Sequence, residues 1–319
     1  MNDSQRVDNK NLQVAAFYGF SAVNQNLLVS FPDKLNSLAK QHDVRGSILL
    51  SVEGVNGTIC GEPEGVSILL KKLNELIDSN ILEIKYSWTS KQAFRKFKSK
   101  IKAEIVTMGV PGIDPSVLAG TYVEPKDWNA ILDDPDVLVI DTRNNYEVAV
   151  GTFQGAINPH TDIFRDFPKW VEENLDPLVK KNSSKKIAMF CTGGIRCEKA
   201  TSYLRKVGYL EVHHLHGGIL RYLEEIPEKE SRWDGECFVF DQRVALNHQL
   251  MPGEHKLCFA CGMPLSIEDR QRTQYISGIQ CHHCIDRFTD ADRARFTERQ
   301  KHINNLAKRL PGNNLWPSA

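Results

Sequence analysis

Apolar and polar positions fall into three regimes along the 319-residue chain. From Leu12 to about Val106, strand-like and helix-like patterns alternate. LQVAAFYGF is an apolar run of strand length, and the stretch after Pro32 places Leu35, Leu38 and Ala39 at helical spacing. SILLSV reads as a strand and TIC as its partner, with Asn56-Gly57 of EGVNG supplying hairpin turn chemistry. Pro63 suits a first helical turn; Val66, Leu69, Leu70, Leu73 and Ile77 follow at helical spacing, and LEIKYSW closes the region as a strand. The order βαββαβ predicts a ferredoxin-like plan for residues 1–110, followed by a linker over 111–125.

From about Lys126 to Glu230, strands alternate with helices, which predicts a parallel sheet covered on both faces. DVLVIDTR and KKIAMF are buried strands. Ala200, Tyr203, Leu204 and Val207 mark a helix face, with Gly208 placed as its C-terminal cap. EVHHL is a further strand, and Gly217-Gly218 turns the chain into the short helix ILRYLEE. Beyond Arg232 the periodicity weakens, the chain becomes polar, and LPGNNLWPSA reads as a loose tail. The fold class is therefore multidomain α/β and α+β, with residues 232–319 as a small cysteine-rich region.

Forty basic and forty acidic residues give a formal net charge of zero, which excludes a uniform nucleic-acid coat. The balance hides an asymmetry. Lys85, Lys91, Arg95, Lys96, Lys98, Lys100 and Lys102 lie between Ile84 and Ala103 with no acidic residue, leaving 33 basic against 40 acidic residues elsewhere. Tyr86, Trp88, Phe94 and Phe97 are interleaved, a mixture suited to phosphate contact and base stacking, or equally to a solvated strip with its aromatics turned inward. A second basic group, Arg287, Arg293, Arg295, Arg299, Lys301, Lys308 and Arg309, is offset by nearby acids. With no long apolar run and a polar start, MNDSQRVDNK, neither a membrane span nor a secretory signal is expected, and the expected location is cytoplasmic.

The eight cysteines concentrate the chemistry. Cys191 follows a buried strand and opens the loop Thr192, Gly193, Gly194, Ile195, Arg196 ahead of a helix. There, converging N–H groups and the helix dipole favour thiolate over thiol, and Arg196 adds a cation at the loop base. Cys197 is either a resolving partner for an oxidised or persulfidated Cys191 or a small packed residue. Cys258-x-x-Cys261 and Cys281-x-x-Cys284 have the spacing of a four-thiolate structural zinc site, with iron or a redox dithiol as alternatives. His282 and His283 read as solvent- or nucleic-acid-facing, while His213, His214 and His216 read as polar residues near a loop rim, with His214 and His216 on one strand face. Cys60 and Cys237 have no motif around them and are expected to be buried.

The strings VLVIDTRNNYE, GTFQGAINP, FCTGGIR and LHGGI, in that order, resemble a rhodanese domain, here residues 126–231. That resemblance implies a persulfide-bearing cysteine at Cys191 and an ordering ion pair between Asp141 and Arg143. Related phosphatases of this fold have a C-x5-R loop; the C-x4-R spacing from Cys191 to Arg196 argues against phosphatase chemistry. CTGGIRCEKA, preceded by a domain containing EGVNGT and followed by a cysteine-rich tail, resembles more narrowly the bacterial rhodanese-domain tRNA uridine-34 hydroxylases, over roughly Leu12 to Asn304. The family implies an acylphosphatase-like first domain, tRNA as substrate, molecular oxygen as co-substrate and Cys191 as the reactive residue. It also tips the basic stretch, Lys91, Arg95, Lys96, Lys98, Lys100 and Lys102, toward RNA docking. No haem, flavin or NAD motif is present in the sequence, and a rhodanese-type sulfurtransferase remains the alternative.

Overall fold

The computed structural model describes residues 12–77, 79–182, 184 and 186–309; the polar lead-in and the LPGNNLWPSA tail lie outside them. In the first domain, β1 (Leu12–Phe20), α1 (Gln25–Gln41), β2 (Arg45–Ser51), β3 (Gly54–Gly61), α2 (Pro63–Leu73) and β4 (Glu83–Thr89) follow the ferredoxin-like order. The four strands lie β4-β1-β3-β2, every neighbour antiparallel. Strand alternation turns Ala15, Phe17, Ile48 and Ile59 toward the helices, where they meet Leu28, Leu35, Leu69 and Leu73 in one core.

Three local features differ from expectation. α1 starts at Gln25, capped by the Asn24 side chain, and runs through Pro32. Burial of Leu28, Phe31, Leu35 and Ala39 along one face outweighs the hydrogen bond that proline removes. The hairpin turns at Val52-Glu53, with Ser51 paired to Gly54, so Asn56-Gly57 sits inside β3. Gly57 is there because a Cβ would lie 2.8 Å from both the Phe17 ring and the Ser47 carbonyl. Part of the basic stretch forms a fifth strand, β5 (Phe97–Ile101), parallel to β2 at the sheet edge.

The second domain comprises β6 (Thr121–Val123), α3 (Pro125–Asp133), β7 (Val137–Asp141), α4 (Asn145–Val148), β8 (Gly151–Phe153), α5 (Phe167–Trp170), α6 (Asp176–Asn182), β9 (Lys186–Phe190), α7 (Ile195–Lys206), β10 (Val212–Leu215) and α8 (Gly218–Glu225). Its sheet, β6-β10-β9-β7, is parallel throughout. One face packs on Phe167, Ala200 and Leu204, the other on Trp128, Ile219 and Leu223. Gly208 ends α7 with φ +108°, a left-handed cap position. The segment expected as linker is structural: Thr121–Val123 pairs with β10 and Ile113 enters the domain core, as does Met108 from the end of the segment expected as first domain.

The cysteine-rich region also begins later than its pattern suggests. β11 (Trp233–Gly235) pairs with β8, and Trp233 and Cys237 fill the second domain's core beside Phe153. β12 (Cys237–Phe238) and β13 (Ala245–Leu246) form an arm reaching the first domain, where Gln242 donates to the Ala93 carbonyl at 3.0 Å and Arg243 to Ser87 Oγ at 2.7 Å. β14 (Lys256–Leu257), β15 (Pro264–Leu265), α9 (Ile267–Gln271) and α10 (Asp290–Arg309) complete the described chain. The 20-residue α10 was not legible from apolar periodicity; it starts at a reciprocal Thr289–Asp292 cap and is anchored by Arg293 and Arg299 donating to carbonyls of Phe288, Phe259 and Gly278. Among the described residues, no helix is long and apolar enough to cross a membrane.

Candidate active site at the Cys191 loop

Cys191 stands at the end of β9, 1% exposed, and its Sγ accepts from the Gly194 N–H at 3.1 Å. Gly194 has φ +107°, which turns that N–H inward and lets the Tyr18 hydroxyl approach to where a Cβ would stand 2.6 Å away. Burial alone would raise the Cys191 pKa; a hydrogen bond from Cys197, the Arg196 cation and the backbone N–H groups overcome it and hold the thiol below its ordinary range. Cys197 shifts the opposite way, raised by burial and by the neighbouring thiolate. The two opposite shifts place the negative charge of the pair preferentially on Cys191.

Arg196 does not point freely into the loop. It forms a bidentate pair with buried Glu147, at 2.6 and 2.7 Å. Burial would raise the Glu147 carboxyl, but Arg196 holds it below the usual carboxylate range. Glu147 also accepts from the Asn144 N–H at the start of α4, so the pair ties the loop to that helix. Asp141 and Arg143 form a second fully buried pair, at 2.6 Å, with Arg143 also donating to the Glu147 and Gly151 carbonyls. Gly218, φ +67°, closes the bowl: a Cβ there would lie 2.4 Å from the Cys191 carbonyl, which instead accepts from the Ile219 N–H at 2.9 Å.

The residues after the loop grip the first domain, a role that the pattern of CTGGIRCEKA did not disclose. Tyr18 donates to Glu198 at 2.7 Å, and Lys199, 1% exposed, donates to Glu53 at 2.9 Å, Glu104 at 2.6 Å and the Val106 carbonyl at 2.9 Å. Asn56 donates to the Ile105 carbonyl at 2.8 Å. Glu53 and Asn56 of EGVNGT therefore brace the interface on which α7 rests. Between the domains lies a small cleft, partly open to solvent, whose lining includes Thr192, Lys85, Phe240 and Arg243.

A model described as UPF0176 acylphosphatase like domain matches residues 12–105, and one described as Rhodanese-like domain matches residues 124–225. A protein of Prochlorococcus marinus named tRNA uridine(34) hydroxylase is 62% identical over 99% of this chain and 98% of its own length. The chain belongs to the tRNA uridine(34) hydroxylase family. A family member of that name from Synechococcus sp. (strain CC9605) is 58% identical over 92% of this chain and 91% of its own.

The four-cysteine cluster of this family member fits a metal ion. Sγ separations are 4.0 Å for Cys258–Cys284, 3.7 Å for Cys261–Cys281 and 3.7 Å for Cys281–Cys284. A tetrahedron of sulfurs about 2.3 Å from zinc has edges of about 3.8 Å. Gly262, φ +83°, lets its N–H return to the Cys258 carbonyl at 2.7 Å, forming the first knuckle.

The basic stretch is split. Lys91, Arg95, Lys96, Lys98, Lys100 and Lys102 are all exposed, but Lys85 is buried in the cleft. Its aromatics do not interleave with the lysines on one surface: Phe94 and Phe97 pack inward, while Tyr86 and Trp88 sit on β4 at the opposite sheet edge from β5. In the second basic group, Arg293 and Arg299 hold backbone carbonyls. His214 is fully buried with both ring nitrogens unpartnered rather than at a rim, and burial pushes its pKa down to about 3. His214 and His216 do share a face, both against the Tyr122 ring. Cys60 and Cys237 are buried, and burial raises their thiols to about 11 and about 12.

Proposed function

We propose that this protein hydroxylates C5 of uridine-34 in tRNA, with Cys191 as the reactive residue and molecular oxygen as co-substrate. The observation that carries this reading is near-full-length identity to proteins named for that activity, joined to a thiolate held in a bowl of donors. The Gly194 N–H and its neighbours in the Thr192–Arg196 loop stabilise negative charge on the sulfur or on a substrate oxygen beside it. Arg196, paired to Glu147, fixes the loop, and Cys197 donates to the thiolate. Hydroxylation leaves one oxygen atom on C5 and sends the other to water, so a two-electron reductant must take part.

The exposed residues Lys91, Arg95, Lys96, Lys98, Lys100 and Lys102 dock the tRNA backbone. Zinc in the Cys258, Cys261, Cys281, Cys284 cluster is structural: four thiolates leave no open position for chemistry. The test is complementation of cells lacking the protein, read by mass spectrometry of wobble nucleosides. Wild type restores 5-hydroxyuridine, its oxygen labelled from heavy oxygen gas and not from heavy water, and Cys191→Ser restores none. Normal 5-hydroxyuridine with Cys191→Ser would sink the assignment.

The same lowered thiol favours one second reading, persulfide transfer from Cys191. Incubation with thiosulfate followed by rapid handover of one sulfur atom from Cys191 to a thiol would support it; an unmodified Cys191 would exclude it.

A further inference from the structure

The interdomain cleft combines three features that the catalytic loop alone does not explain. Lys85 projects into it from β4 and is 8% exposed; its nearest anion is Glu83 at 3.9 Å, and its ammonium lies 5.3 Å over the Tyr18 ring. The Lys85 ammonium donates no hydrogen bond to any described residue, and burial lowers its pKa. Arg243, also in the lining, commits three of its five N–H donors to Asp241 and Ser87 and is charge-paired by Asp241 at 2.6 Å, whereas the Lys85 ammonium has all its donors available. Phe240 stands at the other wall with 63% of its surface exposed, its ring 5.9 Å from the Arg196 guanidinium at the base of the Cys191 loop. An exposed phenylalanine beside a reactive-cysteine loop is a planar apolar platform, and among the described residues no ring is stacked face to face on it.

Sheet register connects the cleft to the lysine edge. Lys98 of β5 is level with Ser47, Thr58, Ala16 and Lys85 in turn across all five strands, on the face away from α1 and α2. Four strand spacings separate Lys98 from Lys85, about 19 Å. Ala16 and Thr58 in the middle of that row line the cleft floor, with Leu220 and Val239 as apolar walls. A strand of RNA held by phosphates at β5 has its bases free to enter along this row.

We propose that this cleft is the subsite for the everted pyrimidine base of the target nucleotide, stacked on Phe240 with a ring carbonyl hydrogen-bonded to Lys85, which brings the ring edge to the Thr192 end of the Cys191 loop. The inference rests on the hydroxylase reading above and deepens it. A base suits the site better than a phosphate does: the walls are largely apolar, and the platform is aromatic. Lys85 is in contact with substrate here and discriminates a carbonyl acceptor from an exocyclic amine.

The test uses the full-length protein and an anticodon stem-loop RNA carrying 4-thiouridine at position 34, cross-linked by long-wave ultraviolet light and mapped by mass spectrometry. The expected cross-link falls on peptides containing Lys85 or Phe240. In parallel, Phe240→Ala lowers kcat/KM about ten-fold, the size of one lost base stack, while Phe240→Trp stays within about two-fold of wild type. Lys85→Met lowers the preference for uridine over cytidine at position 34. Cross-links confined to residues 91–102, with wild type active on uridine, would overturn the subsite and leave the hydroxylase reading intact. Cross-links at Phe240 with no 5-hydroxyuridine formed by wild type would leave the subsite standing and overturn the activity.

Discussion

Two groups of cysteines in this chain have opposite physical situations. Cys191 sits within a domain whose parallel sheet and two flanking layers bury dozens of apolar side chains, and its thiolate is held by backbone N–H groups, a neighbouring thiol and an anchored arginine. The Cys258–Cys284 module has a core of Leu265 and the cysteines themselves, with Tyr275 and Phe288 partly packed against it. In the first, the fold creates the chemistry of the sulfur. In the second, the sulfurs must create the fold, because so small an apolar core cannot offset the ordering of some fifty residues.

The largest effect should therefore come from metal removal. Structural zinc in small modules contributes about 10 kcal/mol or more to folding. A zinc chelator, or Cys281→Ser, should make residues 256–309 sensitive to limited proteolysis while the first two domains keep their cooperative thermal transition. Unchanged protease resistance of the tail after chelation would show that the module stands on packing and arginine–carbonyl contacts alone.

Next in size is the Arg196–Glu147 pair, the anchor of the other cysteine. Glu147→Gln leaves a buried guanidinium half-compensated and should destabilise the second domain by about 3 kcal/mol in denaturant titrations. The pH dependence has a definite sign. Because Glu147 titrates lower in the folded protein than in the unfolded chain, the pair stabilises fully above the ordinary carboxylate range and is lost as pH falls through the depressed folded value. Glu147→Gln should therefore flatten the acid side of the stability curve. An equally steep acid limb in the variant would mean that other carboxylates dominate.

Much of this architecture was legible because it depends on local pattern. LQVAAFYGF is β1 residue for residue, and the strand–loop–helix around Cys191 follows from a buried run, two glycines and a helical stripe ended by Gly208. What stayed hidden depends on distant partners. Proline in α1 is tolerated because the helix's apolar face is buried, a tertiary effect. Asn56-Gly57 looks like a turn but supplies a strand position where two strands approach closely and an amide that holds residue 105. β5 has lysines where a buried strand would have apolar residues, which is how an edge strand is kept from pairing further. Glu198 and Lys199 carry no local pattern that marks burial, yet both are buried against the first domain.

A smaller effect separates the resolving role of Cys197 from a role as hydrogen-bond donor to Cys191. If it acts as hydrogen-bond donor to the Cys191 thiolate, Cys197→Ala removes that donor and the Cys191 pKa rises toward its ordinary value. The acidic limb of the activity–pH profile then moves to higher pH, and once it passes neutrality, activity at neutral pH falls about ten-fold for every further pH unit. Cys197→Ser keeps a donor but cannot form a disulfide. A serine variant close to wild type, with an impaired alanine variant, identifies the donor role; equal loss in both identifies a resolving thiol.

The smallest effects should distinguish two classes of basic residue. Lys98 and Lys100 are exposed on β5, on the face that runs toward the cleft, whereas Arg293 and Arg299 on α10 hold backbone carbonyls of the cysteine module. If the β5 lysines touch phosphates, each Lys→Ala change weakens tRNA binding only a few-fold, but the double variant lowers the slope of log affinity against log salt by about two, one released counterion per lost contact. Arg293→Ala and Arg299→Ala should leave that slope unchanged and instead loosen the module, read as faster amide exchange in residues 256–309. A reversed outcome, with the salt slope following the α10 arginines and not the β5 lysines, would move the RNA-docking surface from the first domain to the tail.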